Sequence, residues 1–135
     1  MEEARFQFKG YEITRSLIEL KERQKLSKIS IEFDPTGYIN KKTRIFQLHL
    51  DVKIEDENKS FIIEVQAVAY YEFETGLSNP GNLFYVNAPA LLFPYIRAYI
   101  STLTNLSGLP PINLPTLNLT SLGKDLENKT SEIVL

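Results

Sequence analysis

The clearest pattern in the chain is a strict alternation of apolar and polar residues over 46–55. One side of this segment carries Phe46, Leu48, Leu50, Val52 and Ile54, and the other carries Gln47, His49, Asp51, Lys53 and Glu55. A period of two is typical of a β-strand with one face buried and the other in solvent. The turn-forming residues 56–59 and a second alternating segment, 60–74, predict that these two strands form an antiparallel hairpin.

The second strand of this hairpin is apolar on both faces. One face carries Phe61, Ile63, Val65, Ala67, Ala69, Tyr71 and Phe73. The nominal solvent face mixes Ile62, Val68 and Tyr70 with glutamates and a glutamine. Apolar residues on that face indicate an interface or a binding surface. The alternative is the general preference of β-branched and aromatic residues for strands.

Two further strands are predicted before the hairpin. Residues from 5 to about 19 alternate, with a change of parity at Lys9 and Gly10 that predicts a β-bulge or a bend. Residues 29–34 form a short alternating strand that we expect to end in a turn at 34–37, followed by a loop to residue 42. The segment 20–28 is interpreted as a long connection, with a short helix as the alternative.

The apolar period changes to that of a helix after residue 87. Apolar residues recur on one helical face at Leu92, Ile96, Tyr99, Ile100, Leu103 and Leu106. Asn87 is the predicted N-cap, after a loop over 75–86, with Pro89 in the first turn. Because of Pro94, either the regular helix begins near Leu92 or a kink precedes Tyr95. Gly108 is the predicted left-handed residue that ends the helix.

The remainder of the chain predicts an extended return and a short helix. Three prolines interrupt residues 109–119, and a weak helical spacing follows from Thr120, a possible N-cap. For the tail beyond about residue 122, a flexible conformation is the alternative. Strands followed by helices predict one α+β domain over residues 1–135, in two layers: a four-stranded antiparallel sheet, then one long and one short helix packed on it.

Composition excludes several classes of function. The net charge of −2 and the sequence pI of about 5.5 give no basic surplus for nucleic acid. The absence of cysteine excludes disulfides and zinc–thiolate sites. No apolar run approaches the roughly 20 residues of a membrane span, and acidic residues near the start replace the basic region of a signal peptide. We therefore expect a soluble, cytoplasmic protein without membrane insertion.

The chain offers little catalytic chemistry. His49 is the only histidine, and no second metal ligand stands at a fixed spacing from it. No glycine-rich phosphate loop and no nucleophile elbow are present. Carboxylate pairs such as Glu72 and Glu74 lie on a polar strand face, where solvation is expected. The prediction is therefore a protein that is not an enzyme and has no catalytic residue, metal or cofactor.

Two stretches resemble the SecB family of protein-export chaperones. The run APALLFPYIR at 88–97 is similar to the family's helix-start signature, and residues 108–119 are similar to its return segment. With residues 6–8 and 61–65, the resemblance covers most of 4–122. It implies a four-stranded antiparallel sheet with two helices. It also implies a homotetramer, a dimer of dimers with the long helices at its centre.

The resemblance also implies a function. Members are ATP-independent holdases that bind unfolded preproteins and deliver them to the SecA translocation motor. The family's docking positions for SecA correspond here to Glu19, Ile62 and Glu64, whereas Arg15 stands where the family more often has an acid. The alternative is a SecB-like chaperone dedicated to a specific client, such as an antitoxin, and not coupled to SecA.

Independently of the resemblance, the chain carries more apolar surface than one small domain can bury. We expect this surplus to be partly closed by oligomerisation and partly left as grooves for extended clients. Candidates for the groove are Leu17, Leu20, Leu26, Tyr70, Leu119, Leu122 and Leu126. Candidates for the oligomer interface are Tyr95, Tyr99, Leu103 and Leu106.

Overall fold

The structure is a computed structural model that describes residues 5–21, 28–74, 80–109, 112, 114 and 118–133. Its strands and helices follow the chain in this order: β1 (Phe6–Leu20), β2 (Ile29–Asn40), β3 (Ile45–Asp56), β4 (Phe61–Phe73), α1 (Asn82–Leu106), α2 (Leu119–Asn128) and β5 (Thr130–Glu132). Within these residues the strands form one sheet in the order β1-β4-β3-β2-β5. All pairings are antiparallel except that of β5, which runs parallel to β2. The predicted α+β class is confirmed, and β5 is an addition to the four predicted strands.

The hairpin of β3 and β4 is the centre of the core, as its alternation predicted. The apolar side chains of the inner face of both strands are at most 2% exposed, and they form one cluster with the buried side of α1. The turn between the strands is closed by the buried carboxylate of Asp56, which accepts the Ser60 N–H at 2.7 Å. The two layers are therefore this sheet and the helices on its inner face.

The change of parity in β1 is a β-bulge. The register against β4 shifts between Phe8 and Gly10, and Gly10 has a φ of 126°, which a side chain would strain. A second shift between Ile13 and Arg15 was not anticipated. Together the bulges let one long edge strand follow β4 along its whole length while presenting Phe6, Phe8, Ile13 and Ile18 to the core.

The predicted turn at 34–37 is wrong, because β2 continues to Asn40. Proline lacks the N–H of a ladder hydrogen bond, which is why Pro35 indicated a turn. In the sheet, however, the Gly37 N–H and the Ile39 carbonyl both bond to the β5 side. Pro35 has the same parity as Gly37 and Ile39, so its nitrogen points away from β3 and no hydrogen bond to β3 is lost.

The predicted start of the long helix at Asn87 is also wrong, since α1 begins at Asn82. The reason is tertiary. Phe84 is buried and lies with its ring centroid 4.7 Å from the rings of both Phe6 and Phe46, so packing extends the helix beyond the local capping signal. Both Pro89 and Pro94 lie inside the helix. The Tyr71 hydroxyl donates to the carbonyl of Ala88, next to the first proline.

The end of α1 follows the prediction. Gly108 has a φ of 84°, and the Leu109 N–H donates to the Thr104 carbonyl at 3.1 Å. The buried Thr104 hydroxyl also accepts the Ile112 N–H at 3.2 Å, which ties the beginning of the return to the helix. Ile112 and Leu114 are buried, while the other residues of 110–117 lie outside the described part of the chain.

The short helix α2 is capped by Asn118, not by Thr120, because the Asn118 side chain accepts the Ser121 N–H at 3.1 Å. Gly123 lies where α2 crosses α1: a Cβ there would stand 2.9 Å from the Tyr85 carbonyl oxygen. Pro89 removes the N–H that would bond this carbonyl along α1. The chain after residue 122 continues α2 to Asn128 and adds β5.

Candidate functional site

The helices cover the inner face of the sheet, and the opposite face is the outer face. Ladder partners share a face, so Glu19, Ile62 and Glu55 lie side by side on it, and Glu64 follows two residues after Ile62. The structure thus brings together all three residues proposed for docking, Glu19, Ile62 and Glu64.

Three glutamates of this part of the outer face, Glu64, Glu72 and Glu19, are paired with bases from β1 and its end. Arg15 Nη1 lies 2.8 Å from Glu64 Oε2, and this pair is also a hydrogen bond. Looser pairs join Lys9 to Glu72 at 3.9 Å and Lys21 to Glu19 at 3.8 Å. The charges of these three carboxylates are therefore compensated. Sequence analysis singled out Arg15 but could not name its partner, which is 49 residues away.

A shallow cleft of about 270 Å³ on the outer face is lined by Arg15 and Glu64 and extends to Asp51, which stands opposite Asp34 and next to Gln66. Partial burial, followed by the carboxylate of Asp34, raises the pKa of Asp51. His49 lies on the same strand, with Nε2 3.0 Å from Gln47 Oε1 and its ring 4.9 Å from that of Tyr38. Burial lowers the pKa of His49, and nearby Asp51 opposes that shift.

The groove candidates do not share one surface of the chain. Leu17 and Tyr70 belong to the outer face, as the ladder partners of Glu64 and Gly10. Leu20 is paired with Phe61 and so belongs to the inner face. On α2, Leu119 is half-buried, Leu126 belongs to the core cluster, and Leu122 is nearly buried. Leu26 lies outside the described residues.

An open depression of about 440 Å³ lies between β2 and α2. Phe33 forms its apolar part, and α2 contributes Leu122 and Asp125. The ring of Phe33 stands edge-on to Phe93 of α1, 6.0 Å away, and the Arg97 guanidinium covers that second ring at 5.0 Å. Neither phenylalanine was among the predicted groove residues, since Phe33 was only one position of a short alternating strand and Phe93 lies off the apolar face assigned to the helix.

The oligomer candidates on α1 differ in exposure. Tyr95 is 45% exposed, and its ring stacks on that of Tyr11 with centroids 4.8 Å apart. Leu106 is 80% exposed. Tyr99 is half-buried and donates its hydroxyl to Ser16 Oγ at 2.9 Å, while Leu103 packs against the core. Tyr95 and Leu106, together with the exposed Leu91, lie within about 60° around the helix and form one exposed apolar stripe.

No group of three or more histidine, aspartate or glutamate side chains among the described residues could hold a metal ion. Neither helix in the described part of the chain is long and apolar enough to cross a membrane.

Comparison with known proteins gives the family. The family model described as SecB, preprotein translocase subunit SecB, matches residues 14–129. The uncharacterised protein MJ0357 of Methanocaldococcus jannaschii is 28% identical over 94 residues, which are 69% of this chain and 61% of that relative. The match thus spans less than two-thirds of the relative's length.

Two solved structures share the fold. One is the Mycobacterium tuberculosis SecB-like chaperone Rv1957, in complex with a peptide from the HigA1 antitoxin. It superposes with a TM-score of 0.71 at 21% identity, over 84% of this chain and 88% of that one. The other is a Streptococcus agalactiae protein of unknown function, with a TM-score of 0.51 at 9% identity over 85% of this chain and all of that one. From the match over 14–129, this chain belongs to the SecB family of preprotein translocase subunits and has the fold of a SecB-like chaperone.

Proposed function

We propose that this protein is an ATP-independent holdase that binds unfolded polypeptides in the cytoplasm and keeps them from aggregating. The observation that carries the proposal is the open depression of about 440 Å³ between β2 and α2, with Phe33 as an apolar contact, on a chain of the SecB family. The proposal contains no catalytic step and no cofactor.

Burial of apolar surface is sufficient to hold such clients. Each buried Å² of apolar surface contributes roughly 25 cal/mol, and an unfolded chain can wrap a long surface with modest energy per contact. Binding of this kind requires no nucleotide. Release then follows from competition, either by refolding of the client or by a receptor that takes it over.

We further propose that copies of this chain assemble into a homo-oligomer, as a dimer of dimers, through the stripe on α1. Tyr95 and Leu106 would be buried between copies, and Tyr99 and Leu103 would lie at the margin. The sheet's outer face and the depression beside Phe33 would remain accessible to client chains.

Suppression of aggregation tests the holdase function. A chemically denatured protein is diluted into buffer without ATP, with and without a several-fold molar excess of this protein, and light scattering is followed. We expect scattering to fall as the excess rises. Unchanged scattering at every ratio would remove the proposal.

The destination of the client is the finer part of the proposal. Delivery to SecA would use Glu19, Ile62 and Glu64, which share the outer face. The Arg15–Glu64 ion pair favours the second candidate, a chaperone dedicated to a specific client such as an antitoxin. A carboxylate already paired with a guanidinium attracts a basic docking segment less strongly than a free one.

Binding of the SecA C-terminal segment separates the two destinations. If the chain serves SecA, wild-type protein binds the segment and Glu64→Lys abolishes binding. If Arg15 blocks docking, wild-type protein does not bind, and Arg15→Gln gains salt-sensitive binding. Arg97→Gln is the matched control, because it removes the same charge from α1 and leaves the outer face unchanged. Absence of binding by all four proteins would favour the dedicated chaperone.

A further inference from the structure

We propose that β5 is a detachable strand occupying a strand-pairing edge on β2, and that an extended apolar segment of the client displaces it. This inference rests on the proposed holdase function and specifies how the client is held. The segment would run parallel to β2, as β5 does. Strand β5 would then compete with clients for the edge of β2.

The odd-numbered residues of β2 direct their backbone N–H and C=O groups away from β3, and these groups form the edge. The Gly37 N–H donates to the Lys129 carbonyl at 3.2 Å, and the Ile39 carbonyl accepts the Ile133 N–H at 2.8 Å. Because backbone groups alternate between the two sides of a strand, Ile31 and Phe33 direct theirs to the same edge. Strand β5 pairs only with residues 37–39. Among the described residues, no strand lies opposite the earlier part of this edge.

Apart from the bonds of the Thr130 hydroxyl, to the Leu126 carbonyl at 2.6 Å and with Tyr85, the contacts that hold β5 are few and exposed. It has three residues, and its side chains are half-buried or exposed. Lys129, just before it, lies 2.6 Å from Asp34 and 3.3 Å from Asp125, and Glu132 lies 3.4 Å from Lys41. All these side chains are at least 43% exposed, and exposed ion pairs stabilise little. The strand can therefore leave β2 at small cost.

Helix α2 is held independently of β5. Leu126 is fully buried and Leu122 nearly so, and Gly123 fits closely against α1. Apolar side chains buried to this degree anchor the helix far more strongly than exposed ion pairs. Detachment of β5 would thus lengthen the free edge of β2 without displacing the wall of the depression.

The depression beside this edge fits an incoming side chain. Its volume of about 440 Å³ exceeds that of one large side chain, and Phe33 supplies an apolar contact. Asn118, Ser121 and Asn128 at its rim are polar and can bond the client backbone. Main-chain pairing independent of sequence, with one apolar contact, is the recognition expected for varied unfolded chains.

A reversible cross-link tests the displacement. Tyr38 and Ser131 are ladder partners on β2 and β5, and such neighbours lie within disulfide range. The chain has no cysteine, so Tyr38→Cys with Ser131→Cys introduces one defined pair. The probe is labelled, reduced and carboxymethylated lactalbumin, which stays unfolded. We expect the oxidised protein to bind it at least tenfold more weakly than the same protein reduced.

A second variant weakens the pairing of β5 and should therefore strengthen client binding. The Lys129 carbonyl and the Ile133 N–H both face β2, so the N–H of Ser131 between them faces it as well. Ser131→Pro removes that donor, and Ser131→Ala is the matched control that keeps it. We expect the proline variant to bind the probe several-fold more tightly than the alanine variant.

The outcomes are distinguishable. Equal binding by the oxidised and reduced forms, or by the proline and alanine variants, overturns the inference while leaving the holdase function intact. Failure of the wild-type protein to bind the probe overturns the proposed function as well. If oxidation changes the mass of the assembly and not client binding, the edge serves a second copy, which also overturns the inference.

Discussion

Replacement of Leu126 by alanine tests whether α2 is anchored as the structure shows. Leu126 is 0% exposed, and its Cδ1 atom lies over Gly37, 3.2 Å from the point where a Cβ on that glycine would stand. The alanine variant loses the transfer free energy of three carbons and leaves a cavity that the sheet cannot fill. Such substitutions cost 2–5 kcal/mol, and we expect about 3 kcal/mol here.

Leu83→Ala is the matched control, with the same chemistry on an exposed side chain of α1 outside the stripe. Because Leu83 is 60% exposed, its truncation should cost less than about 1 kcal/mol. For a domain of this size, 1 kcal/mol shifts the melting temperature by roughly 3–4 °C. The expected decrease is therefore about 10 °C for Leu126→Ala and no more than about 4 °C for the control.

The melting temperatures of both variants are measured by thermal unfolding, monitored by circular dichroism. Both are measured at one protein concentration, because assembly makes the melting temperature depend on concentration. Equal melting temperatures for the two variants, or a larger decrease for Leu83→Ala, would refute the packing of α2 on the sheet.

Three further predictions address the core, the pH dependence and the assembly. Tyr71→Phe removes the buried hydrogen bond to the Ala88 carbonyl and should cost about 1 kcal/mol in urea unfolding; no change would mean that the bond contributes nothing. The lowered pKa of His49 means that the folded state binds fewer protons just below pH 6.5, so stability should fall with acidification through that window. His49→Gln should lose that part of the pH dependence, and an identical profile would contradict it. Leu106→Asp should dissociate the oligomer in sedimentation experiments without unfolding the chain, and an unchanged mass would exclude this stripe as the interface.

Prediction from sequence was strongest where one pattern described both local structure and burial. The alternation in β3 and β4 implied strand conformation and named the inner face, and every inner-face residue is buried. It was weakest where local signals competed with packing. Pro35 predicted the end of β2 and Asn87 the start of α1, but both elements extend past these residues. An outward-facing proline costs β2 no ladder bond, and Phe84 packs among aromatic rings at the start of α1.

The resemblance named Glu19, Ile62 and Glu64 as candidate docking residues, and their shared parity places Ile62 and Glu64 on one face of β4. Glu19 reaches the same face only through the second bulge of β1, which the sequence did not predict. The electrostatic state of these residues was not predicted either. The Arg15–Glu64 pair depends on the register between β1 and β4, and two bulges shift that register. Likewise, the three residues of β5 carry no strand pattern and pair only because α2 delivers them to an open edge.

By itself, the sequence determined the class of fold, the family and the inner face of the sheet, because periodicity and composition act over short distances along the chain. The tertiary structure alone decided which charges neutralise one another, where α1 begins and that the last strand covers part of the β2 edge. These features depend on contacts between residues far apart in sequence, and no local pattern encodes the register that brings them together.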